Sequence, residues 1–328
     1  MMQESPSVLA DPVLGSIHAA MTSAEGETPV YQRFLAVMGT QARITTVGGP
    51  AELPDRIASL LGTLNQLWSR FLDDSEVSRL NNSPGQALSV SPETIRMLIE
   101  MSWGHSRTKG AFDPTLLPAL LAEGYTSSLV TPGLDTHIPV SSQAKGDLSA
   151  VVIRNSEVSL PPGTTLDSGG VGKGLAADMA AEMAMSAGAL GALVEVGGDL
   201  RVEGLSPRSD RWRLAIESPL DPSHRLSTVE LSHHGLATST VTKRRFQVEG
   251  RETHHIIDPT TLRSAHSDTI QASVIAPTAA QAEMWTKVAF VHGSQRLLAF
   301  ARHHGFQAGC LLESGEWVAS AGWPGTDA

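Results

Sequence analysis

The sequence predicts an α+β fold, a mixed α/β arrangement in which mixed sheets are flanked by helices. Segments with strand patterning outnumber long helical ones and often follow one another with no helix between them. Neither an internal repeat nor a linker of altered composition interrupts the chain. Its 328 residues suffice for one large domain or two moderate ones, and 41% hydrophobic residues supply a core. We expect residues 1–30 to form a disordered tail and residues 31–328 a single domain.

The elements follow in order. VMGTQARITTVG reads as a strand after a short turn. From Pro50 to Trp68, Ile57, Leu60, Leu61, Leu64 and Leu67 recur at helical spacing, and FLDDSEVSRLNNSPG then reads as a polar loop. Ser91 as N-cap and Pro92 in the first turn open a helix that runs to about Ser106. FDPTLLPALLAEGY is a loop and short helix, and residues 127–147 form a surface excursion. VVIRNSEVSL is a hairpin, with Arg154-Asn155-Ser156 near its turn. A helix from Leu175 to Gly188 follows the glycine-rich segment. The strand ALVEV comes next, GGD turns the chain, and LRVEG follows. WRLAIESP and STVELSHHGLATST read as strands, HHIIDPTT as a strand end entering a turn, and SDTIQASVIAP as another strand. Thr278 caps a helix to Val291, and the tail alternates helix and short strands.

Bulk properties exclude several classes. A net charge of −10 argues against a general nucleic-acid binder, and Lys243-Arg244-Arg245 is the only dense basic cluster. The single cysteine, Cys310, excludes an intrachain disulfide framework and reads as a small buried hydrophobe within AGCLL. No run approaches the ~18 apolar residues of a membrane span. The first thirty residues show neither a signal peptide nor a lipoprotein cysteine, so we expect a cytoplasmic protein.

The densest chemical signal is LDSGGVGKG, residues 166–174. A P-loop would need glycine where Asp167 stands and a hydroxyl where Gly174 stands. Gly172-Lys173-Gly174-Leu175-Ala176-Ala177 fits a dinucleotide fingerprint, with Glu195 about twenty residues on. The upstream segment, however, offers only Leu166 toward a buried strand. A third reading is an anion cradle built from several separated segments, with Lys173 as a point charge. A turn that needs glycine for packing alone remains open beside it.

Other segments bear on that choice. In order, MGT at 38–40, DDSEVSRLN at 73–81, AFDPT at 111–115, LDSGGVGKGLAAD at 166–178, VEVGGDLRVEG at 194–204, ATS at 237–239 and HHIIDPTT at 254–261 resemble the ApbE-type FAD:protein FMN transferases, or flavin-trafficking proteins. The resemblance runs from about Phe34 to Gly293. It implies an ApbE-like flavin transferase domain. FAD is then the substrate, a threonine or serine hydroxyl of a client protein is the acceptor, and AMP is the leaving group. Some members instead hydrolyse FAD to FMN and AMP, and a flavin-binding protein without turnover is a third alternative.

The resemblance also implies roles. Met38 and Phe71 match flavin contacts. Ala111, Phe112, Asp113, Asp167, Lys173, Gly197, Gly198, Asp199 and Ile257 match FAD contacts, and Asp178 matches a further family aspartate. His255 matches the general base, with His254 turned the other way; His233-His234 is a weaker second pair. Gly170 matches a position whose carbonyl ligates Mg2+, and the partner positions carry Glu283 and Lys287. The family usually has aspartate and threonine there, and a protonated lysine cannot ligate a cation. The sequence therefore suggests that Lys287, held by Glu283, takes part of the metal's electrostatic role; an ordinary surface pair at i,i+4 is the alternative. Two further departures are Thr240 and Leu262, each where glycine is usual.

Overall fold

A computed structural model describes residues 28–221 and 223–327. Residues 1–27, most of the expected tail, lie outside the described residues, and a strand already begins at Val30.

The frame is an eight-stranded sheet. Across it lie Val30–Val37, Thr40–Val47, Gly191–Val196, Asp199–Gly204, His234–Thr240, Thr269–Ala276, Gln307–Leu312 and Trp317–Ala319. Every neighbouring pair in it is antiparallel, so helices and sheets are mixed but the strand directions are not. Two-residue turns explain this for the first and third pairs, because Val37 pairs with Thr40 and Val196 with Asp199.

Alternation along the strands gives the sheet two buried faces. On one face Leu193, Leu200, Val202, Leu236 and Ile275 meet Trp212, Leu214, Ile216, Val229 and Leu231 of a three-stranded outer sheet. The strand Trp212–Glu217 alternates strictly between buried and exposed positions, as a one-sided strand must. The other face packs against the helices Gly172–Ser186 and Ala279–His292. Both helices are rich in alanine because the sheet, further helices and each other surround them. The helix Leu53–Trp68 closes this layer with Ile57, Leu61, Leu64 and Trp68.

Several expectations are corrected. The polar stretch after Phe71 contains the helix Glu76–Asn81, capped by Ser75, whose side chain accepts the Ser78 N–H. Its Asn81 amide pairs both ways with the backbone of Leu166, at 2.9 and 2.7 Å, and so supports the glycine-rich segment. STVELSHHGLATST divides between two sheets: Arg225–Leu231 joins the outer one and His234–Thr240 the main one. The helix expected from Leu175 starts at Gly172. The strand after it runs antiparallel to Thr40–Val47, so the dinucleotide reading lacks its βαβ frame. The hairpin at 152–159 forms, with Asn155 left-handed in its turn, and gains Ala87–Ser89 as a third strand. Cys310 is buried, and burial pushes its thiol up to about 12.

Candidate active site

Two tight turns stand side by side at one end of the main sheet. Met38 and Gly39 both have positive φ, at 51° and 70°, and Gly197 and Gly198 have 62° and 97°. These are the values a two-residue hairpin turn requires, and Met38 adopts them despite its side chain. A Cβ on Gly197 would stand 2.6 Å from the Thr40 side chain, so only glycine lets the turns approach this closely.

Below them the N-terminus of the helix Gly172–Ser186 meets the helix Ala279–His292. A Cβ on Gly174 would lie 2.5 Å from the Ala279 carbonyl oxygen, which assigns that glycine to helix packing. The Gly174 N–H donates to Glu283 Oε2 at 2.8 Å. Lys173 Nζ pairs with Asp199 Oδ2 and with Glu283 Oε1. Burial alone would lower the Lys173 pKa, but the charges of Asp199 and Glu283 outweigh it and raise it. Burial, with the Glu283 charge, pushes Asp199 up to about 6, and its Oδ1 is buried with no hydrogen-bond partner. Burial would raise Glu283 too, but Lys173 and Lys287 hold it below the usual carboxylate range.

Lys287 departs from expectation. Both it and Glu283 face inward, and Lys287 Nζ donates to the Glu283 backbone carbonyl at 3.0 Å instead of the carboxylate. It also donates to Ser239 Oγ at 3.2 Å and Thr286 Oγ1 at 3.1 Å. Lys173, not Lys287, neutralises Glu283, so the i,i+4 pairing is replaced by a contact spanning 110 residues. Neither partner sits on the surface: Glu283 is fully buried and Lys287 half-buried.

The two histidines separate as an extended segment requires. His254 accepts the Ile256 N–H at Nδ1, 3.3 Å, and donates from Nε2 to the Ala265 carbonyl, 2.9 Å. His255 lines the cleft, and its buried Nδ1 has no hydrogen-bond partner. Burial drives its pKa well below the ordinary value, aided by the charges of Arg244, Lys287 and Lys173. The ring is therefore neutral at pH 7. His233, left-handed in a surface turn, pairs with Glu203 and stands apart from the cleft.

Asp113 Oδ1 accepts the Thr115 N–H and hydroxyl at 2.9 and 2.7 Å. Its buried Oδ2 lies 3.4 Å from Lys145 Nζ without a hydrogen bond. Asp167 Oδ1 is 3.4 Å from Nε of buried Arg70. Arg70 is a site residue that sequence reasoning missed. Its guanidinium lies 4.3 Å from the Phe71 ring centroid and 4.5 Å from that of Tyr125, and Tyr125 stacks on Phe246 at 5.2 Å. The only signal in the sequence is an arginine between a helix end and an aromatic residue.

Ala111, Phe112, Asp113, Asp167, Gly170, Lys173, Gly197, Gly198, Asp199, His255, Ile257, Glu283 and Lys287 thus line one cleft of about 930 Å³. Met38 and Phe71 line an adjoining one of about 730 Å³ that shares Asp167, Lys173, Tyr125 and Arg244 with the first. Asp178 lies elsewhere: it caps the helix Ala279–His292, accepting the N–H groups of Ala279 and Ala280 at 2.8 and 2.9 Å.

The donor set does not fit a hard divalent cation. Such an ion takes oxygens in near-octahedral geometry. Both Glu283 oxygens are engaged, by Lys173 and by the Gly174 N–H, and position 287 presents an ammonium. Among the described residues no group of three or more His, Cys, Asp or Glu is arranged to hold a metal.

Comparisons with known proteins point to one family. The ApbE family model matches residues 38–310. Over 298 residues the chain is 30% identical to the FAD:protein FMN transferase of Salmonella typhimurium, covering 85% of this chain and 83% of that one. The Escherichia coli protein of the same name is 28% identical over 277 residues, covering 81% and 78%. The crystal structure of the ApbE protein of Thermotoga maritima matches with a TM-score of 0.78 at 25% identity, covering 89% of this chain and 97% of that one. That of the Pseudomonas stutzeri flavinyl transferase ApbE, in apo form, gives 0.75 at 24% identity over 90% and 96%, and bears on the fold alone. With its motifs gathered around one cleft and a family match across most of its length, the chain belongs to the ApbE family.

Proposed function

We propose that this chain takes FAD as substrate, transfers its FMN half to a threonine or serine hydroxyl of a client protein, and releases AMP. The observation that carries the reading is one cleft in which the neutral His255 ring faces three cationic side chains, Lys173, Lys287 and Arg244. A diphosphate is the ligand whose charge such a set neutralises, and phosphoryl transfer depends mainly on positioning and charge neutralisation.

In the proposed reaction the client hydroxyl oxygen attacks the FMN-side phosphorus. Its proton passes to the neutral His255 imidazole, the new P–O bond forms, and the bond to the bridging oxygen breaks. AMP leaves with that oxygen. Lys173, Lys287 and Arg244 face the charge that builds on the phosphoryl oxygens. Those same cations lower the His255 pKa in the free protein, and a bound diphosphate offsets them and makes the ring a stronger base. Met38 and the Phe71 ring, backed by Arg70 between the Phe71 and Tyr125 rings, supply an apolar surface for the flavin. The resemblance adds Mg2+ at Gly170, Glu283 and position 287, a group that the donor set present does not fit.

Incubation with FAD tests the reading by chromatography of nucleotides and flavins. Transfer predicts AMP release that requires an acceptor polypeptide, and flavin that stays on that polypeptide after denaturation. Equal release of FMN and AMP without acceptor would assign hydrolysis instead, and FAD bound without turnover would leave only a flavin-binding role.

A further inference from the structure

We propose that the Lys287 ammonium neutralises the diphosphate in place of a divalent cation, so that this chain binds and cleaves FAD without one. This rests on the FMN-transfer reading for its chemistry but on the cleft alone for its geometry.

Charge partnering around the site is unequal. Lys173 is saturated by two carboxylates, Asp199 and Glu283. Lys287 has only neutral oxygens within hydrogen-bond reach: two hydroxyls and one backbone carbonyl. No ion pair among the described residues includes it. A cation held inside a cleft with no anion in contact is costly unless a ligand supplies the anion.

Its neutral partners also lie to one side. Ser239 Oγ and Thr286 Oγ1 are 2.8 Å apart, and each lies just over 3 Å from Lys287 Nζ. Those distances subtend an angle of about 53° at the nitrogen, half the spacing between the N–H bonds of a tetrahedral ammonium. The Glu283 carbonyl is in turn 2.7 Å from Thr286 Oγ1, so all three acceptors crowd one side of the nitrogen and leave the rest of it to a ligand in the cleft that Lys287 lines.

The surroundings are shaped for a lysine stem. A Cβ on Gly170 would stand 3.4 Å from Lys287 Cε and 2.9 Å from the Phe112 ring, so the glycine leaves room for the chain between them. The bond changes remain those given above. Lys287 takes no covalent part; its N–H and charge face the non-bridging oxygens as the bond to AMP breaks.

The test measures FAD affinity by quenching of flavin fluorescence and, in parallel, AMP release with an acceptor polypeptide present, each in excess EDTA and in excess MgCl2. For the natural chain both quantities are expected to agree within about twofold between the two conditions. Lys287→Thr is expected to lose about tenfold or more in FAD affinity in EDTA, equivalent to about 1.4 kcal/mol. MgCl2 should restore little of it, because both Glu283 oxygens stay engaged by Lys173 and the Gly174 N–H. A natural chain that loses about tenfold in EDTA and regains it with MgCl2 overturns the proposal, as does a folded Lys287→Thr that behaves like the natural chain in EDTA. If the variant does not fold by circular dichroism, the natural chain in the two conditions decides alone. If no AMP appears under any condition even with an acceptor polypeptide present, FMN transfer and hydrolysis both fail, and the affinity measurement still decides whether Lys287 replaces the metal.

Discussion

The Glu283 carboxylate accepts the backbone N–H of Gly174 at 2.8 Å, across 109 residues of sequence. Asp178, on the helix that Gly174 opens, returns the contact by capping Ala279 and Ala280 at the start of the helix that carries Glu283. Each helix thus closes the N-terminus of the other with a carboxylate, where the helix dipole favours negative charge. One consequence concerns the cleft. Glu283 already occupies the N–H of Gly174 and, with Asp199, the charge of Lys173, so attraction for a diphosphate falls mainly to the side chains of Lys287 and Arg244.

Replacing Lys173 by methionine leaves Asp199 and Glu283 buried with no shared cation. We expect Lys173→Met to destabilise the fold by about 3–5 kcal/mol, the usual cost of breaking a buried pair from one side. Adding Glu283→Gln should recover part of that loss. Urea unfolding of the two single variants and the double variant measures the coupling, and strictly additive values would contradict the shared ion pair.

Asp178 makes the stability of the fold depend on pH. Burial outweighs the two capping N–H groups and pushes its carboxyl up to about 7, against about 3.9 in an unfolded chain. The folded state then binds more protons than the unfolded state between those values, so this group's contribution to stability falls as pH rises through that window. Asp178→Asn removes the titration. The stability of the natural chain relative to this variant should decline from about pH 4 to about pH 7, as read from urea midpoints. A constant difference would show that Asp178 does not titrate there.

His255→Asn should slow transfer by about 10²- to 10⁴-fold, the usual contribution of a general base, while FAD affinity stays within a few-fold. Because the ring's pKa lies well below the ordinary value, kcat/KM of the natural chain should hold steady as pH falls through about 6.5. A drop centred near that value would mean that the ring titrates normally.

Glu123 anchors the segment that carries His255. Its buried carboxylate receives Arg251, Arg263 and the Ser264 N–H and hydroxyl, and its backbone carbonyl accepts the Thr253 hydroxyl. The Arg251 hydrogen bond leads in holding its pKa well below the carboxylate range. Glu123→Ala should cost about 3 kcal/mol and lower kcat more than it raises KM for FAD, since it loosens the base and not the diphosphate contacts. Calorimetry and steady-state kinetics check both.

Much of this was legible because local signals and the fold agree. The turns at MGT and GGD, the Ser91 and Thr278 caps and the extended HHIID segment all appear where the residues suggest. The rest depended on distant contacts. The helix Glu76–Asn81 is too short for its periodicity to show, and burial of Val77, Leu80 and Asn81 stabilises it. Glu283 and Lys287 have the spacing of a helix pair, yet Lys173, far away in sequence, takes the carboxylate. Leu262, where glycine is usual, adopts φ 60° and keeps the turn left-handed at some cost in strain. Thr240 continues a strand, with its hydroxyl on the Ile270 carbonyl, and the nearby left-handed position falls to Arg244.

The central claim is covalent transfer of FMN, and intact-mass spectrometry of an acceptor protein co-expressed with this chain tests it most directly. The account predicts a mass gain equal to one FMN joined through phosphate to a threonine or serine with loss of water, present with the natural chain and lost with His255→Asn. FAD turned over to free FMN and AMP, with every co-expressed acceptor left at its unmodified mass, would contradict it.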